Sequence, residues 1–60
     1  MEYIVSLVNK NNYEDMPVCR KIEAENAKTA KQLLIREIVA SAERFYLEDP
    51  AYQIIINENK

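Results

Sequence analysis

The run Cys19-Arg20-Lys21 sets a thiol beside two cations, and neighbouring cations favour the thiolate that does nucleophilic chemistry. A base should complete such a centre, and the chain contains no His. That removes the usual general base near neutral pH and the usual activator of a nucleophile, so Ser6 and Ser41 also stand without a partner. Carboxylates occur as Glu14/Asp15, Glu23/Glu25, Glu48/Asp49 and Glu58. Paired carboxylates can hold a metal or exchange protons, but these fall in turns or at element ends, with no calcium-loop spacing. One Cys and no His fall short of a structural zinc site, and the absence of Gly removes phosphate-cradling loops and dinucleotide fingerprints. The expectation is a non-enzymatic chain with no catalytic residue, no cofactor and no metal, in which Cys19 is a solvated strand cysteine.

A second chemistry is anion binding. Arg20, Lys21, Lys28 and Lys31 gather where a strand passes into a helix, and a helix N-terminus with nearby cations can hold a phosphate. Tyr3, Tyr13 and Tyr52 could add stacking surfaces for a single-stranded nucleic acid. Against this, Glu23 and Glu25 interrupt the cluster, two of the tyrosines fall at core positions, and the net charge is −2.

The elements that must position these residues follow from spacing. "EYIVSLV" (2–8) is rich in β-branched residues and apolar on both faces, which suits a central strand. Asn9, Asn11 and Asn12 mark a hairpin turn, and Pro17 opens the next strand, 18–25. There Val18, Arg20, Ile22 and Ala24 share one face, and Cys19, Lys21 and Glu23 the other. Asn26 is a helix N-cap. From Ala27 the spacing is helical, with Ala27, Ala30, Leu34, Ile38 and Phe45 on one face, widened by Ile35 and Ala42. Pro50 places the helix end near Leu47, giving a rod of roughly 30 Å that overhangs its sheet. "AYQIIIN" (51–57) is the third strand, and the tail "ENK" is expected to fray.

The order β-β-α-β with a right-handed crossover predicts one small α+β domain, residues 1–60: a three-stranded sheet in order 2-1-3 with one long helix on one face. The longest apolar runs are far too short for a membrane span, and the N-terminus lacks the basic start of a signal peptide, so a cytoplasmic location is expected. A chain of 60 residues buries only a small core, and a lone cysteine cannot staple it internally. Self-association is therefore expected. If Tyr3, Val5, Leu7, Val18, Ile22, Tyr52, Ile54 and Ile56 meet the helix, the other face shows Ile4, Val8, Cys19 and Ile55 among Ser6, Lys21, Glu23 and Gln53. A weaker strip of Leu33, Ala40 and Leu47 lies on the outer side of the helix. A homodimer is expected through that sheet face, or through the overhang at Phe45, Tyr46 and Leu47.

The run "VCRKIEAENAKTAKQLLI", a strand ending in Glu-Ala-Glu-Asn and passing into an Ala-rich helix, resembles short accessory proteins encoded by bacteriophages and prophages. The Asn, Lys and Ile richness is similar to that of low-GC Gram-positive bacteria and their phages. The resemblance covers most of the chain as a layout and carries no functional residue. It implies a small cytoplasmic protein that binds and modulates host or phage machinery. Protein binding of an accessory or inhibitory kind is therefore the leading expectation. Nucleic-acid binding through Arg20, Lys21, Lys28 and Lys31 is the alternative.

Overall fold

A computed structural model describes residues 1–59. Strands β1 (Glu2–Asn9) and β2 (Val18–Glu23) form a hairpin, helix α1 (Ala27–Val39) crosses back, and a short 3-10 helix (Arg44–Glu48) leads into β3 (Tyr52–Glu58). The three strands make one sheet in order β2-β1-β3, with β1 antiparallel to both neighbours. The α+β layout and strand order match the expectation. The doubly apolar β1 takes the centre, where both its edges are paired and the flanking strands help to shield its side chains on either face.

The lack of Gly shapes every connection. Among the described residues none has a positive φ, so the hairpin closes without a two-residue primed turn. Residues 10–17 instead make a longer loop held by polar side chains. Asn9 Oδ1 accepts from Asn11 N–H at 2.8 Å, and Asn12 Oδ1 accepts from Glu14 N–H at 3.1 Å. Asn9 N–H closes the loop on the Asp15 carbonyl at 3.0 Å.

Asn26 caps α1 as expected, its Oδ1 accepting from Thr29 N–H at 2.8 Å. Ala30, Leu34 and Ile38, spaced four apart, are buried against Tyr3, Val5, Leu7 and Val18. Each large side chain buried there contributes about 1.5–3 kcal/mol. The half-buried Ile22, Ala24, Tyr52, Ile54 and Ile56 pack on the same cluster, so all eight residues expected to meet the helix do so.

The helix is shorter than its spacing suggested. It stops at Val39 rather than near Leu47, because Ser41 competes for the backbone. The Ser41 hydroxyl donates to the Ile38 carbonyl at 2.8 Å and accepts from Glu43 N–H at 3.1 Å, bending the chain out of the α path. Thirteen residues give about 20 Å of helix, so there is no overhang. The break also resets the phase: Tyr46 and Leu47 turn in against the core, while Ala42 and Phe45, expected on the buried face, are exposed; Ala27, at the first position of the helix, is exposed as well. Tyr46 packs edge-on against Tyr52 with ring centres 4.7 Å apart.

β2 ends at Glu23, two residues early, and β3 both starts and ends one residue later than expected. Of the tail expected to fray, Glu58 belongs to β3 and Asn59 N–H donates to the Glu2 carbonyl at 2.9 Å, while Lys60 lies outside the described residues. That bond and the one from Lys10 N–H to the Ala51 carbonyl at 2.7 Å fix the phase of the β1–β3 ladder. Hydrogen-bonded pairs alternate along antiparallel strands. In this register the odd residues of β3 therefore bond to β1, and the backbone of Ile54 and Ile56 points to the free edge.

Candidate interaction surface

The face of the sheet away from α1 is built in rows set by the two registers. Lys21, Ile4 and Asn57 form one row, and Cys19, Ser6 and Ile55 the next. Val8 lies beside Gln53 at the loop end. Ile4, Gln53 and Ile55 are half-buried, and Cys19 and Lys21 are exposed. Ser6 sits at the centre, 6% exposed, and its hydroxyl donates to the Cys19 sulfur at 3.4 Å. That contact ties down the cysteine side chain on the sheet surface. Val8, expected on display here, is only 2% exposed and offers no contact surface. The apolar strip of this face is therefore the diagonal pair Ile4 and Ile55, with Ser6 and Asn57 at the other two corners and Cys19 at the edge.

The remaining expected residues do not converge with it. Phe45 is exposed, and Tyr46 and Leu47 are half-buried against the helix side of the sheet, so these three form no common surface with Ile4 and Ile55. The four cations divide as well. Adjacent strand residues point to opposite faces, so Arg20 lies on the helix side and Lys21 on the other. Arg20 Nε donates to Glu37 Oε1 at 3.1 Å and is thereby paired. Lys28 and Lys31 are exposed in the first turns of α1.

A polar cluster escaped the sequence reading. The Tyr52 hydroxyl donates to Asp15 Oδ2, which also accepts from Asn9 Nδ2 at 3.2 Å. It joins the hairpin loop to the start of β3 across 37 positions of sequence. The bond to Asp15, then burial, then the carboxylate's charge hold the Tyr52 hydroxyl above its ordinary pKa of 10.0. Only the alternation of Tyr52 into the helix-facing row hinted at its place, and nothing hinted at Asp15.

Among the described residues no three potential metal ligands come together, and no pocket is enclosed. Among the described residues no helix is long and apolar enough to cross a membrane. No protein-family model, curated protein or solved structure matches the chain.

Proposed function

We propose that this chain is a small non-enzymatic protein-binding module of the phage-accessory kind, acting in the cytoplasm on a host or phage protein. The observation behind this reading is the sheet face that α1 leaves uncovered, with Ile4 and Ile55 half-exposed in a nearly uncharged centre. An uncovered sheet face with apolar side chains is a surface on which a partner gains burial energy without any rearrangement of this chain. Nucleic acid has less behind it, because Arg20 is paired to Glu37 and Lys21 lies on the opposite face.

The test is a paired co-purification from a host lysate with wild type, Ile4→Lys and Phe45→Lys. A partner retained by wild type and Phe45→Lys in high salt, but lost by Ile4→Lys with an unchanged circular dichroism spectrum, supports the face. Retention by Ile4→Lys sinks it, and salt-sensitive recovery of nucleic acid instead favours the alternative.

A further inference from the structure

We infer that the free edge of β3 is a self-pairing edge, on which a second copy of this chain adds its own β3 antiparallel to make a continuous six-stranded sheet. This goes beyond the binding surface above and does not depend on any partner for it.

Three observations carry the inference. The first is the backbone: the N–H and C=O groups of Ile54 and Ile56 point away from β1 and have no partner among the described residues. Unpaired strand edges of this kind are templates for another strand.

The second is composition. No charged residue, proline or bulge interrupts Tyr52–Asn57, whereas the other edge strand carries Arg20, Lys21 and Glu23 within six residues. Charges on an edge discourage pairing, and β3 has none until Glu58.

The third is register, which selects the occupant. The central "QIIIN" of β3 reads as the same pattern in both directions about Ile55. With a two-fold axis through Ile55, Ile54 meets Ile56 of the second copy, Gln53 meets Asn57, and Tyr52 meets Glu58. The ladder phase agrees, because Ile54 and Ile56 have the outward backbone and become the hydrogen-bonded pairs on both sides of the axis. Isoleucines continue the helix-side row, and the amide side chains face each other on the other side. Shifting the axis by one residue places Gln53 against Ile55, or Asn57 against Ile55, and breaks the match. A closed two-fold contact also uses up both copies of the edge, which stops the assembly at two.

The axis is perpendicular to the sheet, so both helices fall on one side and the uncovered face becomes continuous on the other. Three strands spaced about 4.8 Å apart and about 24 Å long give a face on the order of 300 Å². A standard protein interface needs about 800 Å² per partner. Pairing through β3 doubles the available face and brings Ile55 of both copies to its centre.

The experiment is sedimentation equilibrium from micromolar to millimolar concentration, followed by cysteine cross-linking in a Cys19→Ser background. The expected mass rises to twice the 7.0 kDa of the chain. Ile55→Cys lies on the axis in a non-hydrogen-bonded pair with Cα atoms about 4.5 Å apart, within disulfide reach. Oxidation should link it rapidly, while Ile4→Cys, one strand further in, stays unlinked. Rapid linking of Ile4→Cys would identify a face-to-face dimer and overturn the edge. A monomer at every concentration, or a dimer that Ile55→Cys does not link, also overturns it. A synthetic chain N-methylated at Ile56 removes one outward N–H and no side chain. It should be monomeric with native circular dichroism, while N-methylation at Lys21, on the other edge, should leave the dimer intact. The reverse pattern would place the contact on β2.

Discussion

The two edges of this sheet are built in opposite ways. β2 alternates charge on both faces, and its Arg20 reaches across to Glu37 on the helix. β3 is a run of isoleucines between two amide side chains. Both strands pair with the same β1 and pack under the same helix, so the difference does not come from the core. It lies in how each strand meets what is outside the sheet. Charges flanking an edge make an approaching strand lose hydration for little return, while an uncharged edge leaves only backbone groups to be satisfied. A small domain that guards one edge and leaves the other open has a direction in which to associate.

The edges are also tied down differently. β2 runs within three residues into the capped start of α1. β3 is held at its start by the bond from Tyr52 to Asp15 and at its end by the bond from Asn59 to Glu2. The two ties give separate ways to loosen one edge and not the other.

The largest expected effect removes what the edges share. Leu34 is fully buried over the sheet, and Leu34→Ala should cost about 2–5 kcal/mol, much of the total stability expected for a domain of this size. Urea unfolding followed by circular dichroism measures it. A cost under about 1 kcal/mol would mean that the core relaxes into the space, against the packing described.

Next is the tie on the β2 side. Asn26→Ala deletes the acceptor for Thr29 N–H and should cost about 1 kcal/mol, read in the same urea titration. Hydrogen exchange should rise in the first turn of α1 with little change in β3. Equal loss of protection in both edges would show that they open together.

The guard on β2 can be removed with almost no change in stability. Lys21→Ile should move the unfolding free energy by no more than about 0.5 kcal/mol, because the residue is exposed. It should nonetheless shift light scattering toward species larger than a dimer, since one of the three charges that guard that edge is gone. Arg20→Ala should likewise stay below about 1 kcal/mol, because both partners of its ion pair are about half-exposed. If Lys21→Ile leaves the mass unchanged, Lys21 is not what guards that edge.

The sheet was legible in the sequence for a physical reason. Period-two alternation assigns faces without knowing the partner strand, and a strand apolar on both faces has only the centre to occupy. The eight helix-facing residues followed from that alone. The end of α1 was not legible, because Ser41 is acceptable inside a helix and ends this one only through two local hydrogen bonds. That single misplacement produced the overhang and the expected grouping of Phe45, Tyr46 and Leu47. Arg20 and Lys21 part company for a simpler reason: neighbours in sequence along a strand are not neighbours on a surface. The open edge of β3 was invisible until strand order and ladder phase were known, because an isoleucine run reads equally well as core.

The smallest effect tests the tie on the β3 side. Folding raises the pKa of the Tyr52 hydroxyl, since the neutral form donates to Asp15 and the phenolate would face a carboxylate. A group whose folded pKa is raised gives its full stabilisation below the ordinary value of 10.0 and loses it as pH climbs through the folded value. The alkaline fall in stability should therefore be shallower in Tyr52→Phe than in wild type. Subtracting the two curves cancels the lysines and the other tyrosines. Stability measured by urea titration at intervals from about pH 9 to 11 would show the curves converging as pH rises. Asp15→Asn should also flatten the difference, because it keeps an acceptor for the hydroxyl but removes the charge that opposes the phenolate. Parallel curves for wild type and Tyr52→Phe would mean that the clamp contributes nothing to folding. The start of β3 would then be held by its backbone alone.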